Sequence, residues 1–180
     1  MQGAPRLDGA VYDSEPYREL RRSPYCESQP SARLQDSMSL SKHGLRVPEP
    51  KSSLKNVLVM EFIGTEDAAS PRLQDIELED PMGVFEDLLE IAAIIWQTCD
   101  LVHADFSEYN VLWHDGQPWV IDVGQGVTTR HPSAREFLVR DVTRLTEWIG
   151  RQGHEVSVAE SLVRVLDDPV PELASLPSGD

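Results

Sequence analysis

Three oxygen-bearing side chains in the middle of the chain, Asp105, Asn110 and Asp122, are of the types that phosphoryl transfer requires. Asp105 and Asn110 lie in the segment HADFSEYN, whose spacing is H-x-D-x-x-x-x-N, and Asp122 follows in the segment WVIDVGQ. Phosphoryl transfer uses a carboxylate to orient the attacking hydroxyl and oxygen ligands to hold a divalent metal on the phosphates. Asp105 can fill the first role, and Asn110 together with Asp122 can fill the second.

The same residues also have a structural interpretation, in which the aspartate and asparagine side chains only cap turns of a polar loop. An H-x-D pattern followed by an asparagine is modest support for a site when it stands alone. The complete series is more specific, because the loop is followed by an Asp-Gly turn and then by an apolar segment that ends in Asp-Val-Gly. We therefore favour a phosphoryl-transfer site over turn caps.

A β-hairpin is predicted between the asparagine and the second aspartate. Two short apolar segments, Val111–Trp113 and Trp119–Val123, flank the pair Asp115–Gly116, and an Asp-Gly pair in this context is a strong hairpin signal. Such a hairpin would bring the three polar side chains to one edge. A further run rich in β-branched residues, Asn56–Phe62, predicts a strand earlier in the chain.

Two longer amphipathic helices are predicted on either side of this region. The first has Asp80 as its N-cap and Pro81 at its first position, and it continues to about Thr98. The second begins at Ser133, where Glu136 completes a capping-box pattern. Their apolar stripes recur at helical spacing and consist of Val84, Leu88, Ile91 and Ile95 in the first helix and of Leu138, Val142, Leu145 and Ile149 in the second.

Two shorter helices are predicted outside this pair. One lies near Ser31–His43, where Gly44 is placed to end it. The other follows Ser157, with Glu160 repeating the capping-box pattern.

Two further residues lie close to the candidate site in the sequence. Asp141, in the second long helix, either accepts hydrogen bonds from the loop around Asp105 or is an exposed helix residue, and the sequence leaves both alternatives open. His103 is expected to brace the same loop rather than to titrate.

The charge balance is strongly acidic, with 16 basic and 31 acidic residues and a net charge of −15. A field of this sign repels phosphate backbones, so direct nucleic-acid binding is not expected. Only Lys42, Lys51 and Lys55 are lysines, and dense carboxylates with scarce lysine favour a high-salt interior, where screening makes them tolerable. No apolar stretch is long enough to span a membrane, the first residues lack a signal-peptide pattern, and the two cysteines suggest ordinary thiols, so a cytoplasmic location is expected.

Taken together, the segment LVHADFSEYNVLWHDGQPWVIDVGQGVTTRHPSAREFLVRDV resembles the RIO family of atypical serine/threonine kinases, in particular its first and third subfamilies. The segments GLRVPEP and NVLVMEFIG resemble the approach to that family's interlobe hinge, and the similarity runs from about Gly44 to Ile149. The resemblance implies an α+β, protein-kinase-like (RIO) fold. Its mainly helical C-lobe would carry a small β-hairpin at the active site, and its N-lobe would be incomplete.

The resemblance also implies roles for individual residues. Asp105 matches the family's catalytic base, Asn110 matches its magnesium ligand, and Asp122 matches a metal-binding aspartate that is also described as accepting phosphate. ATP and Mg²⁺ are the implied cofactors, and the small ribosomal subunit precursor is the implied partner. The backbone of the hinge would bind adenine at Glu61 and Ile63, with Phe62 between them.

The chain departs from the family pattern in its first part. RIO kinases have a glycine-containing phosphate loop and a strand lysine that contacts the nucleotide phosphates, and no such loop or lysine precedes Gly44 in a strand context. We therefore expect residues 1–43 to be a degenerate, weakly ordered segment and 44–64 to be a remnant N-lobe strand and hinge. Residues 65–166 would then form the C-lobe, and 167–180 a disordered tail.

Two other functions remain open at this point. The missing lysine and phosphate loop would also suit a catalytically impaired pseudokinase that acts as a scaffold in ribosome assembly. The H-x-D, asparagine and aspartate set is shared with small-molecule phosphotransferases of the aminoglycoside-kinase type. The segments SEYN and NVLVMEFIG favour the RIO kinase over the second of these.

The acidic composition leads to a test of stability against salt. Because like charges at the surface repel one another in the folded state and salt screens this repulsion, the thermal unfolding midpoint is expected to rise steeply from low to molar KCl. Circular dichroism melting curves over a KCl series measure this rise. A flat dependence on KCl would remove the high-salt interpretation.

Overall fold

The computed structural model describes residues 9–11, 37–54 and 57–166. These residues form two compact units. The first contains the described residues up to Ile76 together with Tyr109–Gly126, and the second contains Glu77–Glu108 and the described residues from Val127 onward. The predicted tail 167–180 lies outside the described residues, as does most of the predicted weakly ordered segment 1–43.

The described elements are short strands and helices. In chain order they are β1 (Gly9–Val11), α1 (37–42), β2 (Pro50–Leu54), β3 (Val57–Glu61), α2 (Pro81–Ala93), β4 (Leu101–Val102), β5 (Val111–His114), β6 (Gln117–Val120), β7 (Val127–Thr128), α3 (Ala134–Arg151) and α4 (Val158–Leu166). Among these described helices, none is both long and apolar enough to cross a lipid bilayer.

A small antiparallel sheet in the first unit has the strand order β1-β3-β2. Its central strand β3 confirms the strand predicted at Asn56–Phe62. Strand β1 was not predicted, because three residues of mixed type give no periodic signal. The described part of α1 ends as predicted at Gly44, whose φ of 81° is the left-handed conformation that glycine adopts readily after a helix.

The predicted hairpin is formed by β5 and β6. Asp115 and Gly116 have φ values of 50° and 72°, the positive pair that a tight two-residue turn between twisted strands requires. The second strand was predicted at Trp119–Val123, but β6 ends three residues earlier, at Val120. It stops there because Asp122 adopts a left-handed conformation (φ 61°, ψ 40°) and Val123–Gln125 turn as a 3₁₀ helix.

Both outer edges of the hairpin are paired within the first unit. The backbone N–H of Trp113 donates to the Pro71 carbonyl at 2.9 Å, and the N–H of Val120 donates to the Arg46 carbonyl at 2.8 Å. Pro118 lies opposite Trp113 in the ladder, at a position where backbone N–H groups point away from the partner strand, so its missing donor breaks no hydrogen bond of the hairpin. The hairpin is therefore held rigidly from both sides.

The first helix of the second unit forms as predicted. The Asp80 side chain accepts from the backbone N–H of Gly83 at 2.9 Å, and Pro81 occupies the first helical position. The helix continues beyond Ala93 as a π-helical turn, Ile94–Thr98, which ends where the sequence predicts.

The start of α3 differs from its prediction in detail. Its apolar stripe is buried as expected, but Ser133 makes no side-chain cap hydrogen bond to the described helix, so the predicted capping box with Glu136 is wrong. The ψ of 14° at Ser133 is not the extended conformation that aims an N-cap oxygen at the helix. Its backbone N–H instead donates to His131 Nδ1 at 3.1 Å.

The start of α4 agrees with its prediction. The Ser157 hydroxyl accepts from the Glu160 backbone N–H at 3.4 Å. The capping interaction predicted there is therefore confirmed, although it is long.

Candidate active site

The loop that carries Asp105 follows β4 in the second unit, and its backbone is unusual. Ala104 has a φ of 66°, a left-handed conformation that costs a residue with a Cβ about 1 kcal/mol or more. His103 is buried and stacks on Phe106 with ring centroids 5.4 Å apart. The Asp105 side chain is 31% exposed. The loop therefore presents a half-exposed carboxylate on a backbone whose shape must be imposed from elsewhere.

Asp141 on α3 imposes that shape. Its carboxylate oxygens accept from the backbone N–H groups of Ala104 at 2.8 Å and of Phe106 at 3.0 Å, and the residue is only 2% exposed. Burial raises the pKa of Asp141 to about 7, although the two backbone hydrogen bonds and the nearby arginines Arg140 and Arg144 oppose the shift. Of the two alternatives that the sequence leaves open for Asp141, acceptance from the loop is confirmed.

Three arginines of α3 also hold this segment, and sequence reasoning missed all of them. Arg140 donates to the Ala104 carbonyl and Arg144 donates to Oδ1 of Asp105. Arg151, at the end of the helix, pairs with Glu108. The available signal was their position, since Arg140 and Arg144 are four residues apart and so share a helix face; the spacing alone does not name their partners.

Asn110 and Asp122 lie at the same end of the hairpin in the first unit. The backbone N–H of Ile121 donates to the Asn110 carbonyl at 3.0 Å, which extends the β5–β6 ladder by one pair. Asp122 is the next residue and is partly buried, and this burial raises its pKa to about 6. The hydrogen bond thus sets the backbone of Asn110 opposite Ile121, the residue that precedes Asp122.

This pair fits a magnesium ion. Magnesium prefers oxygen ligands and usually takes only one or two protein groups, leaving its other positions to water and phosphate. A partly buried carboxylate, whose charged form is disfavoured by burial, is stabilised by a divalent cation. Within the described residues no group of three or more His, Cys, Asp or Glu side chains could hold a metal. Asn110 with Asp122 is the candidate set that the sequence predicts.

The hinge residues follow β3 in the same unit. The backbone N–H of Glu61 donates to the Glu49 carbonyl at 2.8 Å, and the Ile63 carbonyl accepts from the Ser70 N–H at 3.0 Å. The adenine contact predicted at Glu61 and Ile63 would need the Glu61 carbonyl and the Ile63 N–H, the groups that these two bonds do not use. This acceptor–donor pair complements the amino group and the adjacent ring nitrogen of adenine.

The other hinge features keep this segment close to the hairpin. Phe62 is 41% exposed, whereas Ile63 is buried in a cluster with Leu112 and Ile121. Ile121 immediately precedes Asp122, so the hinge packs against the strand end that carries the metal-ligand candidate. The first unit therefore brings together the hinge residues, Asn110 and Asp122, whereas Asp105 lies in the second unit. Convergence of all three polar side chains remains a prediction.

The structure has the fold of a kinase of the RIO type. It is similar to the Rio2 kinase from Chaetomium thermophilum, solved as the Rio2 kinase-ADP/Mg2+-phosphoaspartate complex, with a TM-score of 0.64, 21% identity and coverage of 91% of this chain and 53% of that one. A second structure of the Chaetomium thermophilum Rio2 kinase gives a TM-score of 0.65 at 20% identity, with 88% and 54% covered. The α+β, protein-kinase-like fold predicted from the sequence is confirmed.

Sequence comparison identifies the family. A family model described as the RIO domain matches residues 32–162. This match covers well over half of the 180-residue chain, and the chain belongs to the RIO domain family.

Similar curated proteins are named as kinases. The RIO-type serine/threonine-protein kinase Rio1 of Haloferax volcanii is 44% identical over 110 residues, which are 61% of this chain and 38% of that protein. The serine/threonine-protein kinase RIO1 of Homo sapiens is 30% identical over 158 residues, or 82% of this chain and 28% of that protein. The chain thus spans well under half the length of these relatives.

The raised pKa of Asp141 predicts a pH dependence of stability. Between the ordinary pKa of 3.8 and the folded-state value of about 7, the folded protein holds a proton that the unfolded chain releases. The stability contribution of this group is therefore fully present below pH 3.8 and is lost as the pH rises through 7. The difference between the unfolding midpoints of the wild type and of Asp141→Asn should therefore decrease as the pH rises from 5 to 8. Melting curves measure both midpoints.

A control separates this titration from a change of net charge. Asp87→Asn removes an exposed carboxylate on α2, and its midpoint should differ from wild type by a constant amount over the same pH range. A wild-type minus Asp141→Asn difference that stays flat or rises with pH would contradict the assignment.

Proposed function

We propose that the protein is an ATP- and Mg²⁺-dependent serine/threonine kinase or ATPase of the RIO type, acting in the cytoplasm. The observation that carries this proposal is the hairpin end, where the Ile121 N–H donates to the Asn110 carbonyl and Asp122 is the next residue along the chain. Adenine is proposed as the base from the family resemblance, with the Glu61 carbonyl and the Ile63 N–H as its contacts. Membership in a family whose relatives are named kinases supports the reaction class.

The residues of the chain then have distinct tasks. Asn110 and Asp122 would hold Mg²⁺, which neutralises charge on the phosphate oxygens of ATP. Asp105 orients the hydroxyl of the substrate. The oxygen of this substrate hydroxyl forms a bond to the γ-phosphorus, and the bond from that phosphorus to the bridging oxygen of ADP breaks. The hydroxyl proton passes to the Asp105 carboxylate.

A second route uses the chain itself as the acceptor. A carboxylate oxygen of Asp122 forms a bond to the γ-phosphorus as ADP leaves, and water later cleaves the acyl phosphate to regenerate the carboxylate. The family resemblance suggests this route, and the Rio2 kinase structure with ADP/Mg2+-phosphoaspartate is the kind of state that it would produce. Net ATP hydrolysis is the result.

A role in maturation of the small ribosomal subunit is the proposed setting, and it rests on the family resemblance alone. With a net charge of −15, the protein should bind protein components of the particle rather than its RNA. It is expected to co-sediment with small-subunit precursors in sucrose gradients of cell extracts. Recovery only in the fractions of free protein would contradict this role.

A catalytically impaired scaffold is the second candidate. It is favoured by the absence of a lysine before Lys42, because a cation at the transferred phosphate commonly lowers the barrier by about 3 to 4 kcal/mol. Calorimetric titration with Mg·ATP distinguishes the two: binding heat and thermal stabilisation support the kinase or ATPase, and their absence supports the scaffold.

The Asp105 assignment is tested by substitution. Asp105→Ala should lower ATP consumption by about 100-fold or more, because it removes the group that orients the attacking hydroxyl. The midpoint of unfolding should change little, since this side chain is partly exposed. Phosphate release and ADP formation measure the rate.

The matched control is Asp87→Ala, which removes an exposed aspartate of α2 in the same unit. It should retain the wild-type rate. Unchanged turnover in Asp105→Ala would remove Asp105 from the mechanism.

A further inference from the structure

Arg144 contacts the reacting side chain of the candidate base directly. Its Nη1 donates to Oδ1 of Asp105, and the two side chains are 38% and 31% exposed. Two other arginines of α3 contact different groups, since Arg140 binds the Ala104 carbonyl and Arg151 binds Glu108. Arg144 therefore acts on the carboxylate rather than on the loop that carries it.

We infer that Arg144 is a positioning residue for phosphoryl transfer, whose guanidinium fixes the rotamer of the Asp105 carboxylate that receives the hydroxyl. This inference rests on the proposed function, because it requires Asp105 to be the base. An aspartate side chain has two rotatable bonds, and a hydrogen bond to one named oxygen removes most of that freedom. The carboxylate is then held in a single orientation before the substrate arrives.

The helix that carries Arg144 is a rigid support. Val142 and Leu145, on either side of it, are 0% exposed and belong to the buried stripe of α3. Asp141 lies one turn earlier on the same helix and binds the loop backbone on both sides of Asp105. One helical turn thus sets the position of the loop through Asp141 and the direction of the carboxylate through Arg144.

Arginine suits this task better than lysine. The planar guanidinium presents donors in a fixed fork, whereas an ammonium is a point charge on a flexible chain. Holding a reacting group in place matters because a displacement of about 1 Å can lower a rate by about 100-fold. The consequence is a rate effect that does not involve nucleotide binding.

The first experiment measures Mg·ATP turnover by the full 180-residue chain. Arg144→Ala should lower kcat by about 10- to 100-fold while KM for ATP changes by less than about twofold, because the residue acts on the base and not on the nucleotide. Arg144→Lys should restore part of kcat, since it keeps the charge but not the fork. Wild-type kcat in Arg144→Ala would overturn the inference.

A matched control uses an arginine whose partner lies on another helix. Arg164→Ala removes the ion pair between Arg164 on α4 and Glu86 on α2 in the same unit. Its kcat should equal that of the wild type. A loss of kcat as large as in Arg144→Ala would show that any broken ion pair of this unit lowers the rate, and would overturn a positioning role.

A double-mutant cycle tests whether Arg144 acts through Asp105. In an Asp105→Asn background, Arg144→Ala should not lower the residual rate further, because the group that it positions is already changed. An additional loss of the full single-mutant size would mean that Arg144 acts elsewhere. That result would overturn the inference.

NMR spectroscopy tests the pairing of Arg144 with Asp105 without the Arg144→Ala variant, which could fold poorly. The side-chain N–H signals of Arg144 in NMR spectra should be slowed in exchange in the wild type and lose this protection in Asp105→Asn. The same exchange protection of Arg144 in the wild type and in Asp105→Asn would overturn the inference.

The proposed function and this inference fail in different ways. An inactive Asp105→Ala variant beside a fully active Arg144→Ala variant overturns the inference alone. Wild-type turnover in Asp105→Ala removes Asp105 from the mechanism and overturns the inference, while the route through Asp122 stands. No turnover in the wild-type chain overturns the proposed function and the inference with it.

Discussion

The buried carboxylate of Asp141 is the constraint on which the second unit depends. It accepts two backbone hydrogen bonds from the loop 103–107, at 2.8 and 3.0 Å, and it is almost completely removed from water. These bonds offset the strain of the left-handed Ala104 and the cost of burying a charged group. Removing this carboxylate would leave the buried N–H groups of Ala104 and Phe106 without an acceptor, which would destabilise the loop. The conformation of the loop therefore depends on α3.

The first unit relies on a different device, the register of a short hairpin. A two-residue turn with positive φ at Asp115 and Gly116 fixes which residues face each other, and the ladder then continues to Asn110 and Ile121. Because register in such a hairpin is set by the turn, the pairing of Asn110 with Ile121 follows from residues at the opposite end of the strands. The backbone register at the metal-ligand candidates is therefore set by a turn at the opposite end of the hairpin.

Local patterns were sufficient for much of this fold. The strand at Asn56–Phe62, the hairpin and the helix that starts at Pro81 each carry their signal within a few neighbouring residues, and each was predicted with nearly correct bounds. The predicted capping box at Ser133 is wrong, because capping depends on the direction from which the chain enters the helix and His131 takes up the Ser133 N–H. Strand β1 depends on pairing with a distant strand, which no local pattern reveals.

The candidate site shows the same division between residue types and partners. Asp105, Asn110 and Asp122 could be named from spacing, since phosphoryl transfer restricts which side chains can serve. The arginines of α3 could not be assigned, because a helical spacing defines a face and not the group that it meets. For Asp141 the sequence suggested an acceptor for the loop but left an exposed helix residue as the alternative. Its burial and its two backbone hydrogen bonds in the structure distinguish between them.

The arginines of α3 make their contacts within a strongly acidic chain. The net charge of −15 is spread over the whole sequence, and salt at about 1 M confines its field to about 3 Å. The contacts of Arg140 and Arg144 with the loop around Asp105 are partly buried, so they are screened much less. A high-salt solvent would therefore weaken the repulsion between surface carboxylates while leaving the arginines of α3 in place.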